Sequence, residues 1–328
     1  MKIVMGYIKT LVFPVLIWAI FAAAALISKR DYFFSAFITS NIFRGSVLSC
    51  IVALAIAIPL SGGRWDFAPG TIAILGGIIG INTGMSLGWN VFGVLFLCII
   101  ACVLLALIEA AAYIFMRVPN MIVSLGIVMV YEALTGILYG GRGANIFNAN
   151  IAYVNNLLLL SKAPWCFVLL GIVLVLVYLL LYRTRFGCDT RSLGNNARIA
   201  INSGVKEKVN IVLTYLVVGT LLGIAALLNA GNSQITAASN LSSTSLMFSS
   251  MGSVLIGLFL AASSCLPWGL FVGSLGMMVM TYGLVSFGID GALVTIVTGF
   301  IIVLIMAYTT NQGRLAALIK GKQKNLEI

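Results

Sequence analysis

Long apolar runs alternate with short polar connections along almost the whole chain. A membrane-spanning helix needs about 20 predominantly apolar residues, and ten segments come close to that requirement. They are 9–28, 42–60, 68–86, 90–116, 120–139, 163–183, 209–229, 246–262, 268–287 and 291–310. The pattern predicts an all-α integral membrane protein with about ten transmembrane helices, and we interpret 1–328 as a single transmembrane domain.

Composition supports the same class. Of the 328 residues, 61% are hydrophobic and only 8% are charged. In soluble domains about 45–50% of the residues are hydrophobic and about 25% are charged. The net charge of +11 then indicates basic residues on the cytoplasmic side of a membrane, and no nucleic-acid partner is expected. Six scattered cysteines and the absence of histidine argue against a disulfide framework and against a metal site.

The distribution of basic residues predicts the orientation. With the N terminus in the cytoplasm, 14 of the 19 Lys and Arg residues fall on the cytoplasmic side, as the positive-inside rule requires. An even number of spans then places both termini in the cytoplasm. The first segment also has the layout of a signal peptide, but we favour an uncleaved first span because so apolar a chain needs membrane insertion anyway.

The most polar internal segment, 183–208, follows the sixth predicted span and is expected to be cytoplasmic. Small and apolar residues are interspersed with polar ones between Asn195 and Gly204, which predicts a short surface helix bounded by Gly194 and Gly204. Because this helix lacks bulky aromatic residues, we favour docking into another protein over lying on lipid.

The stretch PLSGGRWDFAPG at 59–70 contains two prolines and three glycines. Its LSGGR segment is similar to the signature loop of ABC ATPases, but the chain has no GxxxxGK(S/T) phosphate loop, so we reject that interpretation. Two alternatives stay open. The stretch is either a helix break beside a wet cavity, as at transporter substrate sites, or a tight turn with an Arg64–Asp66 pair.

Two glutamates lie inside predicted spans. Because intramembrane carboxylates are costly, each is a functional hypothesis. Glu109 could reach the cytoplasmic surface or pair with Arg117, whereas Glu132 lies deeper and could be neutral, paired or facing a cavity. Glycines at every fourth position, Gly76 to Gly84 and Gly219 to Gly223, predict close helix packing.

The segment YRTRFGCDTRSLGNNARIAINSGVKEK resembles the cytoplasmic loop of ribose/galactose-type ABC importer permeases. SGGRWDFAPG and RVPNMIVSLGIVMVYEAL resemble two further motifs of that family, so the similarity extends over nearly the whole chain. The positions that match in the loop are Thr184, Arg185, Phe186, Gly187, Gly194, Asn196, Ala200, Ser203, Gly204 and Val205.

This resemblance implies ten spans in which spans 2–5 and 7–10 form inverted repeats. It also implies a bacterial inner-membrane location, a second permease subunit, an external solute-binding protein that delivers a monosaccharide, and a separate ATPase that binds the ATP. The chain itself would hold no cofactor. The residues implied in ATPase coupling are Arg185, Gly187, Gly194, Asn195, Asn196, Ala197, Ala200, Ser203, Gly204 and Lys206.

Candidate pathway residues come from the helix break, its aromatic neighbours and the intramembrane polar groups: Trp65, Asp66, Phe67, Asn82, Glu109, Tyr131 and Glu132. Trp65, Phe67 and Tyr131 could stack on a sugar ring or simply pack at an interface. The chain departs from the family at Glu109-Ala110, usually Asn-Gly, and at Glu132-Ala133, usually Arg-Gly. These departures leave the sugar open and suggest one half of a heteromeric permease.

Two other functions are weighed against the permease. A secondary transporter would be driven by protons through Glu109 or Glu132, but it would have no evident need for segment 183–208. A membrane-embedded enzyme would need a nucleophile–base or metal arrangement, which the sequence does not indicate, so no catalytic residues are expected.

Overall fold

The computed structural model describes residues 2–28, 31–116, 118–144, 146, 151–301 and 303, 304, 307 and 311. Arg117, the suggested partner of Glu109, lies outside the described residues, as do 312–328 at the predicted cytoplasmic C terminus and several positions of the tenth predicted span.

The described residues are mostly helical, which confirms the all-α class. The helices are α1 Lys2–Ile27, α2 Ala36–Ser61, α3 Pro69–Ser86, α4 Val91–Met116, α5 Asn120–Ile137, α6 Ile151–Leu157, α7 Trp165–Arg183, α8 Arg185–Asn195, α9 Ala197–Asn202, α10 Glu207–Asn232, α11 Thr244–Ala261, α12 Leu266–Ser286 and α13 Gly291–Ile301. Each of the ten predicted spans coincides with a helix.

Eight helices in the described part are long and apolar enough to cross a membrane: α1, α2, α4, α5, α7, α10, α11 and α12. The glycine-rich α3 and the shorter α13 do not belong to this set. The count of ten crossings and the side on which the termini lie therefore stay predictions.

The core is built around α2. Its residues from Cys50 to Ile58 are buried without interruption, and a helix that is apolar on all sides belongs in the interior. Buried side chains of α3, α4, α10 and α11 surround it. Around this core, α4 packs along α3 and α10, whereas α12 packs along α11 and α2. In the implied repeat α4 corresponds to α12, and each of them packs along the preceding helix and along the first helix of the other group. The inverted repeat itself stays a prediction.

Small residues let α4 approach its neighbours closely, as predicted. A methyl group added at Gly80 of α3 would lie 2.6 Å from the Cα of Cys98, and one at Gly223 of α10 would lie 2.5 Å from the Cα of Ile99. Backbones can pack this tightly only where no side chain intervenes. The glycines that face α4 are Gly76, Gly80, Gly84, Gly219 and Gly223.

Candidate functional site

Two non-helical segments lead into helices whose first residues are buried. Segment 62–68 leads into α3, and segment 233–243 leads into α11. The two helix starts touch, because the hydroxyls of Thr71 and Ser243 are hydrogen-bonded at 2.6 Å and Gly70 lies against the Ser243 carbonyl. The predicted spans end at 60 and 229 and resume at 68 and 246, so both connections agree with the sequence prediction. A wet cavity beside 59–70 stays a prediction.

Glu132 of α5 fixes the start of α11. Its Oε2 accepts a hydrogen bond from the Leu241 amide and its Oε1 accepts one from the Ser243 amide, both at 2.8 Å. Asn240 and Leu241 have φ angles of 54° and 62°, in the left-handed region that side chains other than glycine rarely adopt. Of the alternatives for Glu132, the structure therefore shows a buried carboxyl group that is paired with backbone amides and that also lines a cavity of about 370 Å³.

The depth of the Glu132 contact in the membrane follows from helix geometry. Glu132 lies twelve residues after Asn120, which corresponds to about 18 Å along α5. The hydrocarbon core of a bilayer is about 30 Å thick, so both interrupted helices begin near its middle if α5 crosses the membrane. Irregular backbone is tolerated there only when protein or a cavity surrounds it.

Asp66 and Glu109 form a second buried acidic contact. The Oδ1 of Asp66 accepts a hydrogen bond from the Ala68 amide at 2.8 Å, but its Oδ2 and both carboxyl oxygens of Glu109 have no donor. The exposed fractions are 3% and 0%, so Glu109 does not reach the surface. The two carboxyl groups interact with each other, and Asp66 also interacts with Tyr215 of α10.

Arg64 does not pair with Asp66 but points toward α10. Its guanidinium donates to the Oδ1 of Asn210 at 2.9 Å and to the Oγ1 of Thr214 at 3.4 Å. Asn210 in turn donates to the Oγ1 of Thr190 in α8 at 2.9 Å. This buried network joins segment 62–68, α8 and α10.

A close backbone contact reinforces the network. Gly194 of α8 lies directly against the Ser61 carbonyl, where a Cβ atom has no room, and Gly187 lies in the same way against the Leu181 carbonyl. Glycine is therefore required at both positions for α8 to pack against the end of α2 and the end of α7.

The short helix predicted between 195 and 204 is α9. Asn196 caps its N terminus by accepting a hydrogen bond from the Ile199 amide at 3.2 Å. Gly204 ends it in the left-handed conformation with φ of 93°, as the sequence predicted. Gly194 is not its N-terminal boundary, because it belongs to α8, a helix that was not predicted.

The remaining implied coupling residues lie on or beside α8 and α9. Ala200 is buried, whereas the others are exposed: Arg185, Asn195, Ala197, Ser203 and Lys206.

The candidate pathway residues lie at several separate positions. Tyr131 donates to the Leu105 carbonyl of α4 at 2.8 Å, and Asn82 donates to the Gly143 carbonyl beyond the end of α5 at 2.9 Å. The rings of Trp65 and Phe67 stack with centroids 6.3 Å apart. Asp66, Glu109 and Tyr131 are buried, and Glu109 interacts with both of the others.

A polar cavity of about 360 Å³ lies elsewhere, between α2, α10, α11 and α12. Arg44 at its edge donates to the Ser161 carbonyl at 3.2 Å and to Asn232 at 3.4 Å. A second cavity of about 890 Å³ shares part of its lining, including Asn229 and Ser249. The prediction missed these residues, although the asparagines at the end of α10 were a visible signal.

Comparison of the sequence with known protein families identifies the family of this chain. The family described as the permease component of branched-chain amino acid transport systems matches residues 38–306. The chain belongs to this family.

Individual relatives agree with that assignment. An autoinducer 2 import system permease protein, LsrC of Photorhabdus luminescens, is 22% identical over 94% of this chain and 93% of its own length. The galactose/methyl galactoside import permease protein MglC of Haemophilus influenzae is 24% identical over 65% of each chain. These relatives confirm the resemblance to sugar ABC importer permeases.

A solved structure supports the fold. It is described as an inward-facing conformation of a putative metal-chelate type ABC transporter, with a TM-score of 0.50 and 15% identity. The match covers 93% of this chain and 99% of that one. The family and the two relatives identify the chain as the permease of an ABC importer and as a multi-pass inner-membrane protein.

Proposed function

We propose that a separate ATPase docks on α9 and drives solute movement through this permease. The observation that carries the proposal is the exposure of two apolar side chains in an otherwise polar segment: Ile199 is 64% exposed and Ile201 is 44% exposed. A short helix with exposed aliphatic groups fits a groove in a partner protein. The ATP is bound by that partner.

The contacts of α8 connect a movement of α9 to segment 62–68 and α10. When the ATPase displaces α9, the close contact of Gly194 with Ser61 and the Arg64–Asn210–Thr190 network carry α8, segment 62–68 and α10 along together. Segment 62–68 leads directly into α3, whose start touches the start of α11. Movement at the surface therefore reaches the two interrupted helices.

The proposed solute is a monosaccharide or a similarly small polar molecule, delivered by a solute-binding protein. The cavity beside Arg44, Asn229 and Ser249 offers guanidinium, amide and hydroxyl groups, which can exchange hydrogen bonds with several solute hydroxyls. A second permease subunit, either another copy or a related chain, completes the pathway. The proposal leaves the particular sugar open.

A proton-driven carrier is the alternative for the same fold. The Asp66–Glu109 contact is the observation in its favour, whereas Glu132 is already bonded to two amides. The two functions differ in their energy source. Uptake into proteoliposomes that needs ATP and the ATPase supports the importer, and uptake that follows a proton gradient without ATP contradicts it.

Substitution on α9 tests the docking surface. Ile199→Asp places a charge on an exposed position, so the permease should fold while co-purification with the ATPase falls at least tenfold. Ser192→Asp, also exposed but on α8, is the matched control and should retain the complex. Docking on α9 is ruled out if Ile199→Asp co-purifies as well as the control.

A further inference from the structure

The polar cavity between α2, α10, α11 and α12 carries a positive charge that its lining does not compensate. Among the described residues it is lined by Arg44 but by no Asp or Glu, and no acid lines the larger cavity that shares part of its wall. The hydrogen-bond partners of Arg44 are the Ser161 carbonyl and the Asn232 amide, which are both neutral. Since a guanidinium stays protonated in proteins, a bound solute meets a cation here.

The guanidinium is held in place while part of it remains free. Of its five N–H groups, one on Nε donates to the Ser161 carbonyl and one on Nη2 donates to Asn232. The Nη1 group has no partner among the described residues. Ser161 is itself buried, and Gly231 lies so close to its side chain that a Cβ atom has no room. A fixed guanidinium with free N–H groups matches the oxygens of a carboxylate or phosphate.

Other polar groups of the lining are left with donors as well. The Oδ1 of Asn232 accepts from Arg44, and the Oδ1 of Asn229 accepts from the Ser233 hydroxyl at 3.1 Å, so the amide NH₂ groups of both asparagines remain available. Ser250 lines the cavity and is only 2% exposed, yet its hydroxyl has no hydrogen-bond partner in the described part of the chain. Buried polar groups of this kind need a partner, and a bound solute can provide it.

We infer that this cavity binds a small solute with a carboxylate or phosphate group, such as a sugar acid or a sugar phosphate, and that Arg44 holds this group. The inference rests on the proposed function for the role of the cavity, and it narrows the solute from any small polar molecule to an anionic one. A volume of about 360 Å³ is within the usual range for small-molecule sites. A zwitterionic amino acid fits less well, because no carboxylate lines the cavity to pair with its ammonium group.

Thermal unfolding of the purified full chain in neutral detergent, titrated with ligand, tests the inference. The probes are glucose, glucuronate and glucose 6-phosphate, which share one ring, and sodium chloride keeps the ionic strength equal. A ligand that binds the folded state raises the Tm according to its affinity, so each titration yields an apparent Kd. At least one of the two anionic sugars should bind roughly tenfold more tightly than glucose, because hydrogen bonds to a charged group are the stronger ones.

Substitution of Arg44 tests whether this residue causes the preference. Arg44→Gln keeps an amide donor but removes the charge, so the anionic sugar should bind no more than about twofold more tightly than glucose. Arg142→Gln is the matched control, because Arg142 is exposed and lines neither cavity, and it should retain the preference. If Arg44→Gln fails to fold, Ser250→Ala replaces it: loss of the free hydroxyl should weaken binding of the anionic sugar about threefold.

Several outcomes would overturn the inference. They are glucose binding as tightly as both anionic sugars, no binding of either anionic sugar, an unchanged preference in Arg44→Gln, or unchanged binding in Ser250→Ala. Phosphatidylglycerol added to the detergent tests the other source of phosphate. If this lipid, and neither anionic sugar, raises the Tm in a way that needs Arg44, the residue binds a headgroup and the inference is wrong. The assay contains no ATPase and no ion gradient, so its failure is distinct from a failure of the proposed transport function.

Discussion

Segments 62–68 and 233–243 perform the same structural task in different ways. Each ends one long helix and leads into a helix that begins in the interior, and each has an acidic side chain at that start. Glu132 reaches segment 233–243 from α5 and binds two amides. Asp66 belongs to its own segment, binds one amide, and lies beside Glu109. Both oxygens of Glu132 accept hydrogen bonds from backbone amides, whereas one oxygen of Asp66 accepts none.

This difference teaches that an acidic residue within a span is not by itself a sign of transport chemistry. Glu132 has the partners of a structural anchor, because each of its oxygens accepts a hydrogen bond from a backbone amide. Glu109 has no such partners. The two glutamates are equally unusual in sequence and opposite in surroundings.

The largest difference between the two acids is expected when each glutamate is replaced by alanine in turn. Glu132→Ala should lower the free energy of unfolding by about 4 kcal/mol, because the buried Ser243 amide and the part-buried Leu241 amide lose their acceptor. Glu109→Ala, the matched truncation, should cost about 2 kcal/mol, mainly for the cavity it leaves. Chemical unfolding in detergent measures both. Equal losses would mean that the two acids are not held differently.

A smaller effect is expected when the contact between α8 and the residues before segment 62–68 is disturbed. Gly194→Ala places a methyl group against the Ser61 carbonyl, and such overpacking costs about 2 kcal/mol. We expect α8 to detach from segment 62–68, so that trypsin cleaves faster at Arg191 or Arg198. In Gly126→Ala an added Cβ meets nothing within 4 Å, and this control should behave as wild type. Unchanged cleavage in Gly194→Ala would show that α8 does not support the segment.

The smallest effect concerns the bond that joins the two helix starts. Thr71→Val removes the hydroxyl that bonds to Ser243 at nearly constant shape, and it should lower the free energy of unfolding by about 1 kcal/mol. The double variant Thr71→Val/Ser243→Ala should recover part of that loss, because no buried hydroxyl is left without a partner. If the double variant is no more stable than the single one, the two hydroxyls do not act as a pair.

The sequence could predict features that depend on local pattern. Hydropathy located ten helices, glycine spacing identified the close packing against α4, and Asn196 with Gly204 marked α9. It could not predict the partners of Glu132. These partners are the backbone amides of Leu241 and Ser243, and the pattern of hydrophobic and polar side chains does not indicate which backbone amides a side chain will contact. Likewise α8 was missed, because it is polar and is held by contacts with Ser61 and Asn210 that arise only in the folded chain.

The meeting of α3 and α11 has an electrostatic consequence. The aligned peptide dipoles of a helix place about half a positive elementary charge at its N terminus, and two such termini meet at Thr71 and Ser243. Carboxyl oxygens of Asp66 and Glu132 accept hydrogen bonds from the amides at these ends. Amides at a helix start are the groups that anions bind in proteins. Two side chains of the protein itself thus take the place that a bound anion would occupy.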